Sequence, residues 1–352
     1  MLAALCLCLT VSCGARLLRD AAADTMNAEA LYDAIFASLQ SGDAEIILRD
    51  VEAEDAAASF DRVLRDHPEL FWVRSGYTGR TVTVNGRSTL TFAPILSCSG
   101  EELNAKRQRL DAELEAILTA VDDEWTDFQK ALYIHDLLVE TTEYDAETAA
   151  LPDDEYSFTT ESGSAYGCLV EHKAVCAGYT AAYQLLLQAL GIECGSVTGV
   201  AGGISHAWNY VNLDGAYYYV DVTWDDPVNL GGADVLTHEF FCVTTDELLL
   251  THTIDDGETP PECVETTYDY YRVFGLYLAD YDRDAVFEKI AAALDDGSVE
   301  LKFGSQAALT EAFDELFGRS EIFRVPGLTD RYGSVSYTDG ASGLVLRIYF
   351  VQ

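Results

Sequence analysis

Three side-chain types that together make a nucleophilic site fall within residues 166–227. They are Cys176 in AVCAGY, His206 in SHAWNY and Asp221 in YYVDVTWDDP. A thiol attacks a carbonyl carbon as its thiolate, an imidazole takes and returns the proton, and a carboxylate orients the imidazole and steadies its charged form. Each residue alone has a plainer explanation: a small buried cysteine, a satisfied strand histidine, an aspartate capping a hairpin. Together they predict acyl transfer through one Cys–His–Asp site.

The elements around them support that reading. Tyr183, Leu186, Leu187 and Leu190 recur at i, i+3, i+4 and i+7, and Gly191 comes next, where a helix commonly ends. The helix therefore starts between Ala174 and Gly178, with Cys176 in its first turn. Unpaired N–H groups and the positive end of the helix dipole favour a thiolate there. HAWNYVNL and AYYYVDVT read as strands, and Asp214-Gly215 between them signals a two-residue hairpin. Leu213 then pairs with Ala216, Trp208 with Asp221 and His206 with Thr223. His206 and Asp221 share a face as diagonal neighbours, about 7–8 Å apart at the backbone and within side-chain reach. A loop one residue longer would turn them to opposite faces.

The order C-x-G-Y, HAWN and YxVDxTWDDP resembles the transglutaminase-like superfamily of papain-like thiol enzymes, above all its bacterial extracytoplasmic members. The resemblance runs from FQKALYIHDLLVETTEYD to HEFFCVTTDEL, about a third of the chain. It implies an α+β fold, in which a helix carrying the cysteine packs on an antiparallel sheet carrying the histidine and aspartate. By match, Cys176 is the nucleophile, His206 the general base and acid, and Asp221 the orienting acid. The implied oxyanion donors are the Cys176 backbone N–H and an upstream side chain. Tyr166 is the candidate for the latter, with a packed aromatic as the alternative. No cofactor is implied.

Composition narrows the partners. The chain has 352 residues, is 49% hydrophobic and carries a formal net charge of −39. Such a chain is globular, and its charge argues against nucleic acid or an anionic membrane surface as a direct partner. A protein or peptide substrate is expected. Residues 2–11 form an apolar run suited to a signal-peptide core, and VSCGA resembles a lipoprotein cleavage site with Cys13 lipidated. The expected location is extracytoplasmic, secreted or lipid-anchored at a bacterial cell surface, with the membrane engaged only through Cys13. Six cysteines remain beyond the leader. With Cys176 kept as a thiol, five are left, an odd number that speaks against a full disulfide framework. Neither C-x-x-C nor H-x-x-x-H occurs, so no metal site is expected.

Along the chain, residues 1–15 read as a leader and 16–26 as a tether. Residues 27–98 read as an N-terminal α+β domain with two short helices and an Asn85-Gly86 hairpin. Residues 99–258 form the transglutaminase-like catalytic domain, and 262–352 a C-terminal α/β domain. Two amphipathic helices open the catalytic domain. His135-Asp136 on the second reads as a helix-surface pair, since the family pattern makes that helix scaffold. Residues 141–165 read as a polar loop bordering the site and 229–234 as a Gly-rich loop, with a strand over 237–243. The function expected is peptide or amide hydrolysis through a Cys176 thioester. Protein-glutamine crosslinking, a cell-wall amidase and a non-catalytic surface module are the alternatives.

Overall fold

The computed structural model describes residues 27–151, 161–226 and 236–352. The leader, the tether, Cys13 and the Gly-rich loop at 229–234 lie outside them, as does part of the polar loop over 141–165. The fold is α+β, as expected. Among the described residues no helix is long and apolar enough to cross a membrane.

The chain divides into two compact units, and neither boundary matches the three-domain reading. The first unit takes Met1–Trp125 and Asp136–Ser196, as far as they are described. Its sheet has three antiparallel strands in the order Ile46–Arg49, Arg87–Leu96, Val73–Val84. The predicted hairpin turns through Asn85 and Gly86, both at positive φ, as that two-residue turn requires. Helices Ala28–Ser41 and Ala53–Asp66 precede the hairpin, and Phe60 of the second packs edge-on against Tyr77 and Phe92. No break sets residues 27–98 apart from the rest of this unit. The Gln184 amide donates to the Arg65 carbonyl at 2.8 Å, and the rings of Phe71 and Tyr166 stack at 4.9 Å. Arg107 of helix Gly100–Ala120 donates to the Gln40 carbonyl. Residues 27–98 therefore share one body with the helix that carries Cys176. That helix, Cys176–Ala189, is buried around nearly its whole circumference, which suits its apolar composition.

Asp145 organises the backbone leading to that helix. Its carboxylate accepts the Thr148 N–H and hydroxyl and the Ser162 hydroxyl, with Lys173 at 3.3 Å. The Ser162 carbonyl in turn accepts the Val175 N–H, one residue before Cys176.

The second unit takes Thr126–His135 and Val197–Gln352. Five strands form its sheet in the order His252–Ile254, Cys194–Ala201, Ile204–Leu213, Ala216–Val220, Phe241–Val243. The hairpin register is the predicted one, from Leu213 opposite Ala216 to Asn209 opposite Val220. Asp214 and Gly215 both lie at positive φ in its turn. The second strand ends earlier than expected, at Val220. Asp221 gives its N–H to the Phe240 carbonyl, and the chain then turns through residues 222–225. The expected pairing of Trp208 with Asp221 and of His206 with Thr223 is therefore absent from the ladder. The strand predicted over 237–243 is shorter too, Phe241–Val243.

The closing segment forms a four-stranded sheet in the order Tyr277–Leu278, Ser298–Phe303, Val345–Val351, Ser334–Asp339. Helices Arg283–Ala292 and Gln306–Phe313 supply Val286, Ile290, Leu309 and Ala312 to its core. A π-helical turn, Asp314–Gly318, directly follows the second of these helices. This segment does not stand apart from the residues before 255, because buried charges join them. Glu239 accepts the N–H groups of Ala341 and Ser342 and meets Arg347 at 2.7 Å. Lys302, almost fully buried, pairs with Asp269 and Glu247.

These ties carry two expected outcomes. Glu239→Ala leaves Arg347 and the loop over 340–342 without their shared acceptor. It should lower unfolding free energy by roughly 3–5 kcal/mol in a urea titration, with Glu239→Gln losing less. Burial alone would raise the Asp145 carboxyl, but the Ser162 and Thr148 hydrogen bonds hold it down at about 2, against an ordinary value of 3.8. A carboxyl depressed on folding stabilises above its unfolded value and stops doing so as pH falls through the folded one. Asp145 should thus contribute about 2 kcal/mol above pH 4, lost between roughly pH 4 and pH 2. Comparing native and Asp145→Asn melting temperatures across that window checks it.

Candidate active site

Cys176 is the first residue of its helix, and Val175 at the N-cap provides no side-chain acceptor. The first-turn N–H groups are thus not taken by a capping side chain, the setting in which an anion is favoured. Gly178 permits the close packing of this turn. A Cβ on it would lie 2.3 Å from the Ser162 carbonyl oxygen and 2.9 Å from the Ala174 Cβ. Six cysteines lie among the described residues. Cys98, Cys168, Cys194, Cys242 and Cys263 are buried, and Cys176 is partly exposed. Burial pushes the Cys263 thiol up to about 12 and the Cys242 thiol well above its ordinary range. Thiolate chemistry at those two positions is therefore disfavoured.

In the second unit, His206 lies on strand Ile204–Leu213 and Asp221 immediately after the strand paired with it. Both are buried, and His206 Nε2 is 2.6 Å from Asp221 Oδ2. Asp221 Oδ1 accepts the Trp224 N–H at 3.1 Å. The turn over 222–225 thus brings Asp221 to His206 without the extended pairing the sequence suggested. Burial alone would raise the Asp221 carboxyl, but the adjoining imidazoles outweigh it and hold the group well below the usual carboxylate range. An ionised Asp221 can only accept, so the proton on this side of His206 is on Nε2. The His206 ring stacks beside Trp208, with centroids 6.0 Å apart.

A third residue completes this group and has no counterpart among the sequence motifs. His252 Nε2 is 3.0 Å from the same Asp221 Oδ2, and the His252 side chain is fully buried. Its strand, His252–Ile254, pairs with Cys194–Ala201, so that His252 lies opposite Ala201. A sequence partner some fifty residues away leaves no local signal; the short alternation THTI is the only hint. The ligand-type atoms of His206, Asp221 and His252 lie within 4.8 Å of one another, near enough for a transition-metal ion to replace their shared protons.

Two other expectations change. His135 is not on the helix surface. It is completely buried, with Nε2 3.1 Å from Asp225 Oδ2. Asp225 also accepts from the Thr237 hydroxyl and the Phe240 N–H. A histidine next to an aspartate on an amphipathic helix looks exposed until its partner, ninety residues on, is known. The motif DVTWDD therefore supplies two histidine-bound carboxylates four residues apart, Asp221 with His206 and His252 and Asp225 with His135. Tyr166 is likewise corrected from oxyanion donor to packed aromatic. Its ring is buried against Phe71, and its hydroxyl accepts from Arg109 at 2.7 Å, beside Glu171.

Similarity to known proteins falls on the same stretch of chain. Residues 116–222 match the family described as the transglutaminase-like superfamily. That span holds Cys176, His206 and Asp221 and stops short of His252. The chain is 25% identical over 181 residues to kyphoscoliosis peptidase of Mus musculus, covering 47% of this chain and 26% of that protein. The Homo sapiens protein of the same name is 26% identical over 150 residues, covering 39% and 21%. The chain thus spans about a quarter of the length of the curated relatives it matches. A solved structure of a TGase is similar over 66% of this chain and 65% of its own, with a TM-score of 0.30 and 14% identity. Over residues 116–222, the stretch that holds Cys176, His206 and Asp221, this chain is similar to the transglutaminase-like superfamily.

Proposed function

We propose that Cys176, His206 and Asp221 act together as a thiol acyl-transfer site that cleaves peptide or amide bonds. The observation that carries this reading is the buried 2.6 Å bond between His206 and an Asp221 held ionised. A carboxylate fixed in this way sets the imidazole's tautomer and stabilises its protonated form. With Nε2 given to Asp221, the nitrogen that serves the thiol is Nδ1. The second His–Asp pair, His135 with Asp225, is fully buried on both sides and suits a structural buttress.

In this reading the Cys176 thiolate adds to the substrate carbonyl. The tetrahedral oxyanion is received by the Cys176 backbone N–H at the uncapped helix start. The His206 imidazolium protonates the departing amine as the carbon–nitrogen bond breaks, leaving a thioester. Water, deprotonated by His206, then hydrolyses the thioester and restores the thiol. The peptidase name of the curated relatives supports hydrolysis as the second step. A primary amine in place of water would make the same site a crosslinking acyltransferase. Export, with or without a lipid on Cys13, is part of the proposal, as is a protein or peptide substrate.

The test is a casein-type protein incubated with the enzyme and a fluorescent primary amine. Peptide fragments are expected from the native chain and none from Cys176→Ala. Incorporated label without fragments would assign the transferase reaction. Neither product, with iodoacetamide labelling Cys176 no faster than the five buried thiols, would leave a surface binding module.

A further inference from the structure

We propose that His252 is a positioning residue for the site, holding Asp221 in place for His206. The inference rests on the Cys–His–Asp reading above and extends it to a residue beyond the matched family span.

The proton count decides the arrangement. Asp221 Oδ2 lies 2.6 Å from His206 Nε2 and 3.0 Å from His252 Nε2, and Oδ1 accepts the Trp224 N–H. An ionised carboxylate offers only lone pairs, so both imidazoles must present an N–H to Oδ2. For His252 the other nitrogen agrees. His252 Nδ1 is 2.7 Å from the Thr251 hydroxyl, which has a weaker alternative acceptor in the Leu248 carbonyl at 3.3 Å. The hydroxyl donates to Nδ1, and a neutral His252 then carries its proton on Nε2. The result is a directed chain: Thr251 hydroxyl to His252 Nδ1, His252 Nε2–H to Asp221, with Asp221 also receiving His206 Nε2–H.

Geometry explains why the carboxylate needs this partner. Asp221 lies just past the end of its strand and is held at the start of a turn, so the sheet ladder does not fix its side chain. The Trp224 N–H fixes one oxygen, and His252 fixes the other from a different strand. His252 is itself wedged among rings, with Trp224 at 4.7 Å, Trp208 at 5.1 Å and Phe240 at 5.3 Å between centroids. The approach of its strand depends on Gly199, where a Cβ would lie 2.0 Å from the Thr253 carbonyl oxygen and 2.7 Å from Trp208 Cη2. A donor so enclosed has few other positions to adopt.

Two variants separate the donor from the ring. His252→Phe keeps an aromatic ring among its neighbours and loses the N–H. His252→Gln loses the ring and keeps an N–H donor near the Nε2 position. The readout is the rate of iodoacetamide labelling at Cys176 in the full chain at one neutral pH, resolved by peptide mass spectrometry, with thermal melting in parallel. His252→Phe is expected to slow labelling about tenfold, the scale of one lost charge-assisted hydrogen bond, with His252→Gln within about twofold of native. Nitrogen NMR of histidine-labelled native protein should show His252 protonated on Nε2 and bare on Nδ1. Native-rate labelling in His252→Phe, or equal loss in both variants, would overturn the inference. His206→Ala distinguishes the levels. If it slows labelling while His252→Phe does not, the positioning role alone fails. If His206→Ala labels at the native rate, the site reading fails and this inference with it.

Discussion

One buried carboxylate sets the terms for the second unit. Asp221 is almost fully enclosed, and an isolated charge there would be unstable by several kcal/mol. It stays ionised because two imidazole N–H groups and one backbone N–H converge on it. Meeting that requirement brings together residues 206 and 252, on two strands, and 221 and 224, at the turn that follows a third. The order of the five strands, the early end at Val220 and the glycine at 199 are all conditions for that convergence.

The same logic of buried charge ties the closing segment to the residues before 255. Glu239 and Arg347, Lys302 with Asp269 and Glu247, and Asp225 with His135 each join residues far apart in sequence. Buried ion pairs of this kind add little net stability over apolar packing, but removing one partner is strongly destabilising. They act as registration pins. Residues 262–352 are keyed to the segment after Asp221 through Glu239.

What the sequence disclosed and what it hid divide by range. The helix beginning at Cys176, the Asn85-Gly86 and Asp214-Gly215 turns and the register of the central hairpin were legible because each rests on neighbours within a few residues. His206 and Asp221 were legible as a pair because the hairpin made them near neighbours. His252 and the burial of His135 were not, since each depends on a partner at long sequence distance. The division into two compact units was hidden for a related reason. A loop rich in acids and proline reads as a linker, and only the buried charges on either side show that it joins parts of one body. Tyr166 failed because a ring two residues from Ser164 looks much the same whether its hydroxyl faces a substrate or Arg109.

The distribution of sulfur has its own implication. Five of the six described thiols are enclosed, and three of these, Cys98, Cys242 and Cys263, have their ionisation suppressed by that enclosure. Peroxide and similar oxidants attack thiolates that solvent can reach. Among the described thiols, oxidative injury should therefore concentrate on Cys176, passing through a sulfenic acid that a small-molecule reductant can reverse. Among the described residues, protection from oxidants thus comes down to a single sulfur atom.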